Sequence, residues 1–167
     1  MSVRDVIKYP DPRLKAVSKS VTSFDEFIEE AIADLLDTLD AYSHCVGIAA
    51  PQIGTLLRII VVDASRNVRC KNVHGKLVLI NPEIYDHNGL LQFREGCLSI
   101  PDFTGNVNRA KEVTVNYYDT SFRRQFIVVK DFEAVVIQHE IDHLNGILFL
   151  DRIISKRTDL FRRKKYK

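Results

Sequence analysis

Apolar positions along the chain fall into two periods. Phe24, Phe27, Ile28, Ala31, Ile32, Leu35, Leu39 and Tyr42 recur at steps of three and four, with acidic residues between them, which predicts an amphipathic helix over 24–43. Ser23 and Glu26 stand at capping-box spacing ahead of it. Residues 58–62 (RIIVV), 76–80 (KLVLI), 90–93, 112–118 (EVTVNYY) and 125–129 (QFIVV) are short, β-branched and aromatic, and predict strands. The last two are joined by a turn over 119–124. From Asp131 the period returns to 3.6: Phe132, Val135, Val136, His139 and His143 share one stripe, and Asn145-Gly146 supplies a stop. A final amphipathic helix is expected from about Ser155. Pro10, Asp11 and Pro12 keep the opening segment extended, and residues 47–54 (GIAAPQIG) read as a tight loop. Short strands in the middle with helices towards both ends predict an α+β fold: small antiparallel or mixed sheets around a central helix carrying His139 and His143, an N-terminal amphipathic helix and a C-terminal helix.

Composition narrows the class. At 167 residues, with 46% hydrophobic and 28% charged positions, the chain is expected to form one globular domain over 1–167. Three cysteines, at 45, 70 and 97, cannot all pair, so a reducing compartment is expected. The opening MSVRDVIKYPDPRLK carries charges where a signal peptide needs an apolar stretch, and no 18-residue apolar run suggests a membrane span. The tail, 156–167, holds seven Lys or Arg against one Asp, a net +6 within a chain of net +2, so the rest of the chain is mildly acidic. Only the tail would be drawn to nucleic acid; the body would not, and no DNA partner is expected.

His139-Glu140-Ile141-Asp142-His143 is an HExxH pattern. Residues i and i+4 share a helix face, so both imidazoles can hold one metal ion, with Glu140 beside them to take a proton from water. The third ligand decides the class of enzyme. Gly146 extends the pattern to HExxHxxG, but the His that one protease class then requires is Phe149. Another class uses a downstream Glu, and Glu140 is the last Glu in the chain. Apart from Asp142, Asp151 and Asp159, the third ligand must come from upstream, from His44, His74, His87 or one of the cysteines. Cys97 has the most telling setting: a strand runs into the turn Glu95-Gly96-Cys97-Leu98-Ser99, which presents one thiol. A thiolate and two imidazoles with a fourth position open form a catalytic site.

Three segments, 47–52 (GIAAPQ), 95–99 (EGCLS) and 138–146 (QHEIDHLNG), in this order after the opening Tyr9-Pro10-Asp11-Pro12-Arg13-Leu14, closely resemble the peptide deformylases. The resemblance runs to about Ile154. It implies that Cys97, His139 and His143 are the metal ligands and Glu140 the general acid/base. It implies that Gln52 and the backbone N–H of Leu98 form an oxyanion hole, and that Gly47 lines the substrate cleft by its backbone. Val46, Val135, Val136 and Ile137 fall near the family's methionine pocket, and Glu95 and Arg109 resemble a pair bracing the cysteine turn. The implied activity is hydrolysis of the formyl group from the N-terminal formylmethionine of nascent polypeptides in a bacterial-type cytoplasm. The implied enzyme is a monomer holding one divalent ion, Fe2+ expected, with Zn2+, Ni2+ or Co2+ accepting the same ligands. The basic tail is expected to dock on the ribosome. The competing readings are an HExxH zinc peptidase and a catalytically impaired ribosome-binding homologue. Two positions depart from the family: Cys45 replaces the first motif glycine, and Asp102 follows Pro101 where glycine is common. If position 45 requires positive φ, cysteine is strained there; if it requires only a small side chain, cysteine fits.

Overall fold

A computed structural model gives the fold for residues 2–164. Among these described residues, eight strands and four α-helices follow one another as α1 (Glu26–Ala41), β1 (Gly47–Ala49), β2 (Ile59–Asp63), β3 (Lys76–Asn88), β4 (Leu91–Cys97), β5 (Ile100–Arg109), β6 (Glu112–Tyr118), β7 (Arg124–Lys130), α2 (Asp131–Leu144), α3 (Phe149–Arg152), α4 (Lys156–Asp159) and β8 (Leu160–Arg162). The expected α+β class holds. The named strands pair only antiparallel, so the sheets are not mixed: one has the order β1-β2-β3-β6-β7 and the other β4-β5-β8.

The sequence explains the layering. β2 is buried at all five positions, which an antiparallel strand manages only when both faces are covered. Ile59 and Val61 point to one side and pack with Ile28, Leu35 and Leu39 of α1. Ile60 and Val62 point to the other and pack with Val136, Ile137 and Leu144 of α2. A third core, with Leu14, Ile100, Val107, Leu148 and Phe149, includes Cys97.

Several expectations are corrected. The N-cap of α1 is Asp25, whose Oδ1 accepts from the Ile28 N–H at 3.1 Å, rather than Ser23. Residues 47–53 are not a loop: β1 runs into a short 3-10 turn, Ala50–Ile53. β5 answers to no predicted strand. The helix with the HExxH motif is not central but lies late in the chain, against one face of the five-stranded sheet. Among the described residues the C-terminal helix is reduced to one turn, α4, and Leu160, Phe161 and Arg162 then pair with Gly105, Thr104 and Phe103 of β5. Residues 165–167 of the basic tail lie outside the described residues.

The stop of α2 is built as the sequence predicts. Gly146 has φ +68, and a Cβ there would strike the Lys15 carbonyl, so both conformation and space require glycine. Among the described residues no helix is long and apolar enough to cross a membrane.

Candidate metal centre

Two elements meet to make the site. Along β4, Glu95 and Cys97 are two apart and point to the same, buried side. One turn of α2 turns His139 and His143 towards them. The Cys97, His139 and His143 ligand atoms all lie within 4.8 Å of one another, and no other such group of His, Cys, Asp or Glu occurs among the described residues. Cys97 Sγ is 3.3 Å from His143 Nε2, and the two imidazole rings stand 5.0 Å apart at 76°. All three side chains are buried.

Of the other upstream candidates, His44 and His87 are exposed and apart from the cluster. His74 is tied instead to Glu133, Nδ1 to Oε2 at 2.8 Å. Cys70 lies elsewhere, and Asp151 pairs with Lys15. Asp142 is buried beside the cluster, but both of its oxygens are engaged by arginines.

The electrostatics follow from burial and neighbours. Burial pushes the Cys97 thiol up, yet the adjacent imidazoles of His143 and His139 outweigh it and hold it well below the usual thiol value. Burial pulls His139 down, but Cys97 and Glu95 hydrogen-bond to it and raise it well above the ordinary histidine value. Glu95 is buried, which raises it, but His139 and Arg109 overcome that and bring it to about 2. It is therefore a carboxylate. It accepts from His139 Nδ1 at 2.7 Å and from the Arg109 fork at 2.6 and 3.0 Å. This fixes the orientation of the His139 ring, with Nδ1 on Glu95, so that Nε2, on the Cys97 side, is the nitrogen that would ligate. Glu140 goes the other way: burial lifts its carboxyl to about 7.

Whether these residues suit a metal ion is answered by what they lack. Glu140 Oε2 and His143 Nδ1 are buried without a hydrogen-bond partner among the described residues, an arrangement that is costly unless something polar completes it. The convergent donors are one sulfur and two imidazole nitrogens, the set expected of a divalent transition metal. The donor set and the orphaned Glu140 oxygen both fit such an ion, whereas His143 Nδ1 is the outer nitrogen, since Nε2 faces Cys97.

The remaining predicted residues surround the cluster. Gln52, at the end of the 3-10 turn, accepts from the Ala49 N–H through Oε1 at 2.9 Å, which turns its Nε2 towards Cys97 Sγ (3.4 Å) and Ser99 Oγ (3.2 Å). Leu98 sits with Ser99 in the two-residue turn after Cys97, its carbonyl accepting from Lys8 Nζ at 2.7 Å. A Cβ on Gly47 would lie 2.7 Å from Glu140 Oε1 and 2.9 Å from Val136 Cγ1, so only glycine lets β1 come this close to the carboxylate. Val46 and Val136 pack nearby in the α2 core, and Ile137 is fully buried within it. Cys45 is not among the residues at positive φ. Its Sγ donates to the Gly47 carbonyl at 2.9 Å, and burial pushes its thiol up to about 12. It is a buried, neutral thiol outside the positive-φ region. Asp102 is exposed, and its carbonyl accepts from the Arg163 N–H at 2.8 Å.

Sequence reasoning missed Ser99 beside Gln52, and the pairing of Asp142 with Arg109 and Arg152. The only sequence signal for the pairing was an acid placed inside the HExxH motif.

Comparison with known proteins agrees. Residues 3–159 match the family model described as polypeptide deformylase. A peptide deformylase of Desulfotalea psychrophila is 39% identical over 165 residues, covering 98% of this chain and 95% of that one. One from Syntrophobacter fumaroxidans is 40% identical over 164 residues, 98% and 94% of the two chains. The crystal structure of peptide deformylase from Thermotoga maritima superposes with a TM-score of 0.84 at 34% identity, over 93% of this chain and all of that one.

Proposed function

The chain belongs to the polypeptide deformylase family, and from that premise we propose how its own residues remove the formyl group from the N-terminal formylmethionine of nascent polypeptides. The observation that carries the reading is the convergence of Cys97, His139 and His143 beside a buried Glu140 with a free oxygen. Those three side chains would hold the ion. When bound, a divalent ion polarises the carbonyl and makes water a stronger acid. Everything else falls to the chain.

Glu140, held near neutrality, accepts the proton of the attacking water and later gives it to the departing amine, so formate and a free N-terminal methionine result. The Gln52 Nε2 and the Leu98 N–H receive the developing oxyanion; each donor of this kind is worth about 10²–10³ in turnover. β1 is an edge strand, so the backbone at Gly47 offers an open edge along which an extended peptide can lie beside Glu140. Glu95, held by Arg109, orients His139 as well as bracing the cysteine turn.

We assign the whole chain to one catalytic domain acting as a monomer in a bacterial-type cytoplasm, with Fe2+ as the native ion and Zn2+, Ni2+ and Co2+ as substitutes. The basic tail would dock on the ribosome. The test is formate release from a formyl-Met peptide, set against internal cleavage of the unformylated peptide. Formate release alone is expected. Peptide-bond cleavage without formate release would overturn the reading.

A further inference from the structure

Asp142 stands on α2 between the two histidines yet turns away from them, with its side chain 6% exposed. Its Oδ2 accepts from Arg109 Nη1 at 2.6 Å and from Arg152 Nε at 2.5 Å, and its Oδ1 accepts from Arg152 Nη2 at 2.6 Å. Arg109, 2% exposed, presents its other edge to Glu95, and Glu95 Oε2 meets His139 Nδ1. His139 and Asp142 are three positions apart on the same helix. The run Asp142–Arg109–Glu95–His139 therefore closes a ring with one helical turn.

We propose that Asp142 is a positioning residue for the metal centre, acting through Arg109 and Glu95 on the ring of His139, with Arg152 as its anchor at the surface. This rests on the reading that Cys97, His139 and His143 hold a metal.

The physics of the ring supports it. A guanidinium is rigid and planar, so fixing one edge fixes where the other edge points. Asp142 takes one edge of Arg109, and the opposite edge can then grip Glu95 only in one orientation. That orientation sets Oε2 against His139. Charges alternate along Arg152, Asp142, Arg109 and Glu95, so no buried charge is left uncompensated. Gln138 on the same helix holds the strand end that carries Arg109: its Oε1 accepts from the Ala110 N–H at 3.0 Å and its Nε2 donates to the Ala110 carbonyl at 2.9 Å. His143 has no such support, since its Nδ1 is unpartnered among the described residues. The orientation of the imidazole pair is thus set chiefly from the His139 side.

The experiment uses the full chain and measures Zn2+ affinity by competition with a chelator, together with the visible spectrum of the Co2+ form. Asp142→Asn should weaken Zn2+ by about 10–100-fold and shift the Co2+ bands, as loss of an outer partner does in metal sites. Arg152→Gln, at a half-exposed position, should move both in the same direction by a smaller factor. In a Glu95→Gln background, either substitution should change affinity by less than about twofold, because the route to His139 is already cut. A folded Asp142→Asn variant with unchanged affinity overturns the proposal. So does a loss that adds in full on top of Glu95→Gln, which would mark a purely structural role. If Asp142→Asn does not fold, Arg152→Gln carries both comparisons. A wild-type chain that takes up no Zn2+ overturns the reading of the site itself, and the proposal with it.

Discussion

At the scale of single residues, the chemistry of the centre rests on the difference between two cysteines. Cys97 sits between imidazoles and is held as a thiolate, whereas at Cys45 burial and the nearby Glu140 outweigh the Gly47 carbonyl and Arg66, so it stays a thiol. Cys97→Ser should therefore lose most metal binding, since a hydroxyl is not deprotonated at neutral pH and ligates weakly. Metal analysis after dialysis checks this; full metal content in the variant would remove Cys97 from the ligand set. Cys45→Gly should give no gain in turnover and cost about 1 kcal/mol or more in urea unfolding, because position 45 is not at positive φ and glycine both adds unfolded-state entropy and empties a buried position. A clear gain in activity would mean that the cysteine is strained after all. The motif residues were legible in the sequence because ligand spacing on a helix is dictated by its period. Asp142 was legible only as an acid. Its partners Arg109 and Arg152 are 33 and 10 residues away, and no local pattern states which buried charges meet.

Between elements, the tie that matters joins β4 to α2 through Glu95 and His139. Glu95 is brought to about 2 in the folded chain, against 4.5 for a free glutamate. A depressed carboxyl contributes stability that is present above its unfolded value and is lost as pH falls through the folded one. The metal-free protein should thus lose about 2–4 kcal/mol from this group between about pH 4.5 and pH 2. Urea unfolding at successive pH values between 5 and 3 should show that slope, and Glu95→Gln should flatten it; an unchanged slope in the variant would mean the tie contributes nothing. Elements with a strong period were legible: α1, β6, β7 and α2 lie within a few residues of their predicted bounds. β5 was not, because Pro101 and Asp102 interrupt its start and its buried face carries Gly105 and Arg109 around Val107, so it shows no apolar alternation, and only pairing with β4 makes it a strand. The predicted C-terminal helix failed for the same reason. Leu160 enters the third core and Phe161 stacks under the Arg94 guanidinium at 3.5 Å, contacts that favour an extended strand beside β5 over a helix.

Over the whole molecule, charge is divided as the sequence indicated, a basic C-terminus on a mildly acidic body. Because β8 is built into the three-stranded sheet, removing the tail would also disturb the strand beside Cys97, so the ribosome reading is better tested by charge. Changing exposed Lys156, Arg157 and Lys164 to glutamine should leave turnover of short formyl-Met peptides unchanged. It should lower ribosome affinity and flatten its salt dependence, since phosphate contacts release counterions. Equal binding by wild type and variant in a sedimentation assay would reject docking through the tail. The central claim is that one ion held by Cys97, His139 and His143 works with Glu140 as the proton carrier. The most direct measurement is metal content and formate release, read on the same anaerobic samples of wild type and Glu140→Ala. The account predicts about one ion per chain in both, rapid formate release by the wild type, and a loss of about 10²–10⁴-fold in the variant. A variant that loses the ion, or that keeps both the ion and its turnover, would contradict it.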